Sequence, residues 1–336
     1  MLQMNNTAKI LFIYPSWASN ATFVQRDYET LLKVFSVTKM SFSKNDVLFP
    51  LRLLKALLKH HICFAWFGGL HSFYALIITK LLRKKLVIVA GGYDAIYLPK
   101  LNYGIRAEKK SGWRRTYYSF RHADRVLAVS KCIRDSLENE CRAKKNVELV
   151  YNGVDPSSYS FGEQKERFVL TVGQVTERTL IIKGILSFID VARRVPQEKF
   201  VLIGGGNDGA FEQLQKDAPS NVELTGALSS ERVREYMRRA MVYVQLSAQE
   251  SFGVALAEAM LSGCIPVVAK RGALPEVAGP EAFYVDYGDI PGTITAIERA
   301  FNAGTGNEQR KWIAENFRNE IRNNKIINLI NSLSPL

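Results

Sequence analysis

Two glutamates, Glu250 and Glu258, are the only charged residues between Gln249 and Ala269. From Phe252 to Ala269 every residue is apolar or small except Glu258 and Ser262. The pattern predicts a helix with buried surroundings around Glu258. An unpaired buried carboxylate costs several kcal/mol. Glu258 therefore needs a partner, either an Arg or Lys elsewhere in the fold or the hydroxyl groups of a ligand.

The second glutamate, Glu250, lies eight residues earlier, in the loop before the same predicted helix. The N–H groups at a helix start, here those of Phe252, Gly253 and Val254, have no partner within the helix. Together with the positive end of the helix dipole they form an anion site that suits a phosphate. The alternative is structural: Glu250 caps the helix and Glu258 forms an ion pair.

Cysteine and histidine usage argues against metal and disulfide chemistry. The four cysteines form no CxxC pair, and the four histidines show no zinc-ligand spacing. No signal peptide is recognisable at the N-terminus, so we expect a reduced, cytosolic compartment and no metal cofactor.

The elements that position these residues alternate between short β-branched runs and helical patterns, which predicts a doubly wound parallel α/β sheet. Two such sheets are expected, because 336 residues suit two domains with a cleft between them. The predicted strands are 10–14, 62–67, 86–90 and 125–129, then 168–172, 200–203, 222–224, 242–246, 265–268 and 283–285. The predicted divisions are 1–156, 157–308, and a helical segment 309–336 that packs back across the boundary.

One stretch, 62–79, is apolar enough to suggest a membrane span. The glycine pair Gly68-Gly69 and His71 interrupt it, so we interpret it as a strand, a turn and a helix. The preceding segment 50–60 predicts an amphipathic helix with Leu51, Leu54, Leu57 and Leu58 facing inward.

The pair Glu250 and Glu258, spaced as E-x7-E in ESFGVALAE, resembles the signature of the retaining glycosyltransferases of family 4, which have the two-domain GT-B fold. The resemblance extends over most of the chain. Its other segments are ADRVLAVSKCIRDSL (123–137), VELVYNGVD (147–155), VLTVGQ (169–174), LIGGGND (202–208), VELTGALSSERV (222–233) and SGCIPVVAKRGALPEV (262–277).

The resemblance implies donor-site roles for individual residues. Glu250 would contact hydroxyls of the donor sugar, and Glu258 would bind the nucleotide ribose. The backbone of Ser251, Phe252, Gly253 and Val254 would face the diphosphate and the sugar. The loops that contain Gly205 and Leu228 would select the base.

The family also has an Arg and a Lys after the first strand of the second domain, where they neutralise the donor diphosphate. Lys183 matches the Lys. The usual Arg position is Gln174 here, and Arg178 restores an Arg-x4-Lys spacing. Fixed cations of this kind stabilise a leaving diphosphate without a metal.

The first domain departs from the family pattern at the position of a catalytic His, where this chain has Gly91-Gly92-Tyr93-Asp94. Asp94 follows a predicted strand, at the end where α/β sites lie. Its carboxylate either orients or deprotonates an acceptor hydroxyl, or it caps a turn.

The excess positive charge lies in the first 150 residues, whose net charge is +15 while the remainder has −2. Basic clusters there are interleaved with aromatic residues, which suits an anionic lipid surface, although a generally solvated basic face is the alternative. No nucleic-acid-binding pattern appears. The clusters are Arg83-Lys84-Lys85, Lys109-Lys110, Arg114-Arg115 and Lys144-Lys145, with Trp113, Tyr117, Tyr118 and Phe120.

These observations predict a metal-independent retaining glycosyltransferase that moves a sugar from a UDP- or GDP-sugar to a hydroxyl of a glycan or lipid-linked acceptor. We expect it to act as a peripheral protein on the cytoplasmic face of the membrane. The alternatives are a nucleotide-sugar epimerase of the GT-B fold and a non-catalytic glycan- or lipid-binding relative.

Overall fold

Parallel strands alternate with helices throughout the computed structural model, which describes residues 8–108, 112–162 and 164–334. The chain divides into two units. Residues 1–153 and 319–336 form the first unit and residues 154–318 form the second. The predicted boundary at 156/157 lies three residues from this division. The predicted segment 309–336 is split by it, because its first helix belongs to the second unit and its last helix to the first.

The first unit contains a six-stranded parallel sheet of order β2-β1-β3-β4-β5-β6. Its strands are β1 (Lys9–Pro15), β2 (Ser36–Phe42), β3 (Ile62–Trp66), β4 (Lys85–Ala90), β5 (Arg125–Ala128) and β6 (Val147–Leu149). Its helices are α1 (Thr22–Leu32), α2 (Phe49–Leu58), α3 (Leu70–Leu81), α4 (Trp113–His122), α5 (Lys131–Asn139) and, from the end of the chain, α14 (Asn319–Leu333).

The second unit repeats this architecture with the order β12-β11-β10-β7-β8-β9. Its strands are β7 (Glu166–Val172), β8 (Lys199–Ile203), β9 (Val222–Leu224), β10 (Ala240–Gln245), β11 (Ile265–Ala269) and β12 (Phe283–Val285). Its helices are α6 (Glu177–Ile182), α7 (Ile185–Arg194), α8 (Ala210–Asp217), α9 (Ser230–Arg239), α10 (Val254–Leu261), α11 (Leu274–Ala278), α12 (Ile290–Phe301) and α13 (Asn307–Asn316).

The central strands are apolar along their whole length because helices cover both faces of each sheet. All five residues of β3 and all five of β11 are buried. All ten predicted strands are confirmed: this pattern made the eight interior strands recognisable, and the partly exposed edge strands β9 and β12 were predicted as well. The two strands that sequence reasoning missed, β2 and β6, lie at the sheet edges and have partly exposed, mixed sequences.

The apolar stretch 62–79 forms β3, a glycine turn and α3, which confirms its interpretation. Within the described part of the chain, no helix is both long and apolar enough to cross a membrane. The predicted inward face of α2 is wrong in part. Phe49, Leu53 and Leu57, spaced four apart, are buried, whereas Leu51 and Leu58 are 58% and 61% exposed.

A buried ion pair attaches the last helix to the first unit. The Arg322 guanidinium on α14 donates two hydrogen bonds of 2.7 Å to the Asp27 carboxylate on α1. Its remaining amino group donates to the carbonyl oxygens of Val150 and Tyr151. The Trp66 indole N–H donates to the same aspartate at 3.0 Å. Every charged group here has partners, as burial requires.

Candidate functional site

The second sheet reverses its strand order between β7 and β10. From β7 the chain proceeds outward through β8 and β9, and it then returns to build β10, β11 and β12 on the other side. Loops that leave two such strands diverge, so a crevice opens at their carboxyl ends, where α/β folds bind ligands. Helix α6, which follows β7, carries Arg178 in its first turn and Lys183 at its C-terminal end, and the loop after β10 contains Glu250.

The Glu250 carboxylate is the electrostatic centre of this crevice. The side chain is 9% exposed, and its Oε2 accepts from Lys183 Nζ at 2.6 Å and from Gln245 Nε2 at 2.7 Å. Its Oε1 accepts from the backbone N–H of Ser251 at 3.2 Å. The buried charge is therefore paired and hydrogen-bonded, which offsets the cost of removing it from water.

Two glycines bring this ion pair together. Gly184, at φ +68°, follows Lys183, and a Cβ there would lie 2.1 Å from the Leu246 carbonyl oxygen. Gly272, at φ +57°, approaches the backbone of Glu250 so closely that a Cβ would lie 2.4 Å from its carbonyl oxygen. Only glycine readily adopts this left-handed backbone conformation and, having no Cβ, permits the close backbone approach at both positions.

Helix α10 begins beside Glu250, and its N-cap is Gly253 at φ +94°. Because glycine has no side chain, the N-cap residue cannot accept a hydrogen bond from the first-turn N–H groups. Glu250 accepts from Ser251 rather than from those groups, so the proposed carboxylate cap is not formed. Ser251 and Val254 are partly exposed, while Phe252 is buried. No side chain accepts a hydrogen bond as N-cap at this helix start, which is the position where anions bind to helices.

The prediction that Glu258 is buried is wrong, because its side chain is partly exposed. Glu258 follows Val254 by one helical turn, and residues four apart share a face of a helix. Val254 and Glu258 thus lie on the open side of α10. The flanking residues Leu256, Ala257 and Ala259 are buried, which made the whole helix appear buried in the sequence.

The two predicted cations occupy different parts of α6. Lys183 is its C-cap residue, whereas Arg178 lies in its first turn with an exposed side chain. Positions five apart on a helix differ by roughly 140° around the axis. The structure therefore places Lys183 on Glu250 and directs Arg178 to another side of the helix.

The remaining predicted donor-site residues follow β8 and β9. The N–H of Gly204 donates to the Gly226 carbonyl at 2.9 Å, and the N–H of Val175 donates to the Gly205 carbonyl at 3.0 Å. These bonds hold the glycine loop that contains Gly205 against the loop after β7. Leu228 lies two residues beyond Gly226 and is partly exposed.

The first sheet has its own reversal point, between β1 and β3, and a cleft of about 1030 Å³ opens there. Trp17, which is 71% exposed, and Phe67 lie against each other in its wall with ring centroids 4.8 Å apart. The charged residues of the lining, Lys44 and Arg115, are both basic. The cleft thus combines an aromatic surface with positive charge.

Asp94 is buried beneath this region and holds its loops. Its carboxylate accepts from the backbone N–H groups of Gly68 at 2.6 Å, Gly92 at 2.8 Å and Gly91 at 3.4 Å. Burial raises the pKa of this carboxyl group, although those hydrogen bonds oppose the shift. These contacts support the turn-capping interpretation of Asp94 over that of a base acting on a substrate.

The loop that Asp94 holds contains Phe67, which has the left-handed φ of +68° that bulky residues avoid. A Cβ on Gly91 would lie 2.1 Å from the Phe67 ring. Strained residues of this kind cluster at ligand sites. Asp94 and Gly91 therefore fix the aromatic wall of the cleft.

Sequence reasoning missed Gln245, which contacts Glu250 directly. Its signal was an amide at the end of the otherwise apolar strand AMVYVQ. It also missed Trp17 and Phe67 as a pair, since their contact depends on two loops meeting. Among the described residues, no group of three or more His, Cys, Asp or Glu side chains is arranged to hold a metal ion.

Two family models match the chain. Residues 11–158 match "Glycosyltransferase Family 4", and residues 166–303 match "Glycosyl transferases group 1". The two matches together cover most of the chain and correspond to the two units.

Curated relatives are glycosyltransferases of several kinds. The chain is 26% identical over 246 residues to the sulfoquinovosyl transferase SQD2 of Arabidopsis thaliana, covering 68% of this chain and 47% of that protein. It is 23% identical over 275 residues to the N-acetyl-alpha-D-glucosaminyl L-malate synthase of Bacillus anthracis, covering 74% and 69%. The chain spans about half the length of SQD2 and 57% of an uncharacterized glycosyltransferase of Methanocaldococcus jannaschii.

Solved structures share the fold over nearly the whole chain. Sucrose-phosphate synthase from Thermosynechococcus elongatus has a TM-score of 0.78 at 15% identity, covering 97% of this chain and 99% of that one. Anabaena HepE in complex with UDP-glucose has a TM-score of 0.77 at 16% identity, covering 96% and 99%. With both family models matched and two doubly wound parallel sheets as expected, the chain belongs to glycosyltransferase family 4, in the group 1 glycosyl transferases, and has the GT-B fold.

Proposed function

We propose that this protein is a retaining glycosyltransferase that moves a hexose-type sugar from a UDP- or GDP-sugar to a hydroxyl of a glycan or lipid-linked acceptor, without a metal ion. The observation that carries the proposal is the Lys183–Glu250 ion pair. It lies where the second sheet reverses, beside the start of α10. A cation, a carboxylate and the start of a helix are the features that suit a sugar diphosphate.

In this proposal each group has one part of the donor to bind. Lys183 holds the diphosphate, with Arg178 as a second cation, and the backbone of Ser251–Val254 faces the diphosphate and the sugar. Glu250 binds hydroxyls of the sugar, and Glu258, on the open face of α10, binds the ribose. The loops of Gly205 and Leu228 contact the base.

When the donor binds, Lys183 exchanges Glu250 for the diphosphate as its partner. Lys183 is suited to this exchange because 35% of its side chain is exposed, against 10% for Glu250. A diphosphate offers more negative charge than one carboxylate, so it can draw the ammonium group away from Glu250. Charge develops on the leaving nucleoside diphosphate, and a fixed cation there lowers the barrier. No protein nucleophile is required when the acceptor attacks on the face of the leaving group.

We assign the acceptor to the first unit. Its cleft offers Trp17 for stacking against a sugar ring, with Lys44 and Arg115 available for an acidic group. Asp94 fixes the loops of this cleft rather than acting on the acceptor hydroxyl.

We further propose that the first unit binds an anionic membrane surface, on the cytoplasmic face. Helices α3 to α5 each connect neighbouring strands, and α2 leads from β2 past β1 to β3 in the same direction across the sheet, so right-handed crossovers place all four on one face. That face carries exposed apolar side chains, among them Val47, Leu51 and Leu58 near α2 and Leu81 on α3. The basic clusters Arg114-Arg115 and Lys144-Lys145 are on or beside α4 and α5. The cluster Lys109-Lys110 lies outside the described residues.

The first experiment is a metal-free thermal-shift screen against UDP, GDP, ADP and their common sugar conjugates. Binding to the native state raises Tm by mass action. A shift with one nucleotide that is lost in Glu258→Ala would support the donor site and identify the base. Incubation of the donor alone separates an epimerase, which converts it, from a transferase. A non-catalytic relative would never release free nucleoside diphosphate, even with acceptor.

Membrane binding has a separate test. Cosedimentation with vesicles that contain anionic phosphatidylglycerol should exceed that with phosphatidylcholine alone, and it should weaken as salt rises. Leu51→Ser combined with Leu58→Ser should reduce the binding, whereas Ile181→Ser, at an exposed apolar residue of the second unit, should not. Equal binding to both vesicle types would contradict the proposal.

A further inference from the structure

Two nitrogen donors share one carboxylate oxygen of Glu250, and the side chains that carry them differ in how freely they can move. Lys183 approaches Glu250 Oε2 on a flexible side chain that is about one-third exposed. Gln245 approaches the same oxygen at 2.7 Å from the end of β10, and it is only 6% exposed. The ammonium group can leave, whereas the amide cannot move far.

The strand fixes Gln245 firmly. Strand β10 lies between β11 and β7 in the sheet, and Gln245 is aligned with Val268 of β11. Its neighbours Val244 and Leu246 are buried. The sheet thus fixes the backbone that carries the amide, and the burial of the side chain restricts its movement.

A buried glutamine at this position is costly. Gln245 Oε1 is buried without a hydrogen-bond partner among the residues that the structure describes, which destabilises the fold relative to an apolar side chain of similar size. Strands in the interior of a parallel sheet favour such apolar residues. A residue that breaks this local rule at a candidate site indicates a functional contact, here the bond from Nε2 to Glu250.

We propose that Gln245 is a positioning residue, which keeps the Glu250 carboxylate in place when the diphosphate of the donor draws Lys183 away. This inference rests on the proposed function. Once Lys183 leaves, Oε2 retains only the Gln245 amide, and Oε1 retains the Ser251 N–H. Without Gln245, the carboxylate would follow Lys183 toward the diphosphate or turn toward the backbone, and its contact with the sugar hydroxyls would be lost.

The test compares Gln245→Leu with Gln249→Leu by calorimetric titration with UDP and UDP-glucose, or with GDP and GDP-mannose, as the wild-type screen selects. Gln249 is a matched control, since it is equally buried but donates to the Glu250 carbonyl oxygen and not to its carboxylate. In Gln245→Leu we expect the Kd of the nucleotide sugar to rise about tenfold, the typical effect of a lost bond to a charged group. The Kd of the free nucleotide should stay within about twofold, and kcat should fall.

Equal weakening of nucleotide and nucleotide sugar, or no change in either, would overturn the inference, because Gln245 would then be structural or idle. A wild-type protein that binds no nucleotide sugar would instead refute the proposed function, and the inference with it.

Gln245→Glu gives a second readout if Gln245→Leu folds poorly. Two adjacent carboxyl groups share a proton more readily as the pH falls, and the protonated one can again donate to Glu250. Affinity for the nucleotide sugar should therefore recover toward low pH in this variant and remain flat in wild type. A flat profile in both would count against a positioning role.

Discussion

The ion pairs Arg322–Asp27 of the first unit and Lys183–Glu250 of the second are built on different principles. Arg322 and Asp27 are 5% and 1% exposed and are joined by two parallel hydrogen bonds. Arg322 also donates to two carbonyl oxygens, and Asp27 also accepts from an indole N–H. Lys183 makes a single bond to Glu250 and is 35% exposed. The first pair (the closed pair) is enclosed by protein, whereas the cation of the second pair (the open pair) is partly exposed to solvent.

The difference separates a structural ion pair from a candidate functional one better than the residue types do. A pair with every donor used has nothing to offer a ligand, and it fixes α14 against α1. A pair with one exposed, flexible member can exchange that member for a substrate group at little cost. The open pair also lies where its sheet reverses, whereas the closed pair lies between two helices.

The largest expected effect is on the closed pair. Arg322→Met leaves the Asp27 carboxylate buried with only the Trp66 N–H, so the free energy of unfolding should fall by about 3–5 kcal/mol. Urea unfolding measures this. Adding Asp27→Leu should restore much of the loss, because no charge is then buried alone. Arg167→Met, in the exposed pair with Glu198, should cost under about 1 kcal/mol. Similar losses in both single variants would show that burial does not set the contribution of these ion pairs to stability.

For the open pair the effect should fall on activity rather than stability. Lys183→Met should lower kcat/KM for the donor by about 100-fold or more, the scale of a lost transition-state charge contact. Its unfolding free energy should change much less than in Arg322→Met, since Gln245 and Ser251 still donate to Glu250. Lys199→Met, in an exposed ion pair with Glu223, is the control for activity. Near-normal transfer in Lys183→Met would place the site elsewhere.

His71 is another buried polar residue of the first unit, and we expect its role to be structural as well. His71 lies in the cleft wall, and burial lowers its pKa to about 4, so it is neutral when folded. The unfolded chain, with the ordinary histidine pKa of about 6.5, binds more protons between these values. Stability should therefore be complete above about pH 6.5 and decline by up to about 3 kcal/mol as the pH falls toward 4.

Urea titrations of wild type and His71→Gln across this pH range would test that dependence. The variant should have a flatter acid limb, because glutamine can still donate to the Trp66 carbonyl without titrating. Parallel curves for the two proteins would show that other groups set the acid sensitivity.

The smallest expected effect belongs to Asp94. In Asp94→Asn the side-chain oxygen can still accept from Gly68, so we expect transfer within about threefold of wild type and a stability loss of about 1 kcal/mol. A general base would instead show a loss of about 100-fold or more with the fold intact. The transfer assay thus decides between the two interpretations of this residue.

Much of the fold was predictable because parallel strands buried on both faces are nearly uniform in hydrophobicity. The eight interior strands were found for that reason, whereas of the four edge strands only β9 and β12 were predicted and β2 and β6 were not. The buried face of α2 was harder to predict, because apolar residues occur all around the helix. Which of them are buried, here Phe49, Leu53 and Leu57, depends on packing against the rest of the unit.

The candidate site was predictable in its composition but not in its contacts. Local spacing and resemblance identified Glu250, Glu258 and Lys183 in the sequence. The partial exposure of Glu258 was not predicted, because the open side of α10 depends on where the neighbouring helices end. Gln245 was missed since a lone amide at a strand end becomes significant only when a carboxylate from another loop lies beside it.

The sequence by itself determined the strand–helix alternation, the two sheets, the family and the concentration of positive charge in the first half. These follow from local periodicity and composition, which need no knowledge of distant contacts. Only the tertiary structure decided that Lys183 pairs with Glu250, that Gln245 supports the same oxygen, and that Asp94 holds loops rather than facing a cleft. Such contacts join residues from different strands and loops, and their geometry depends on backbone approaches, as at Gly184 and Gly91, that no local pattern encodes.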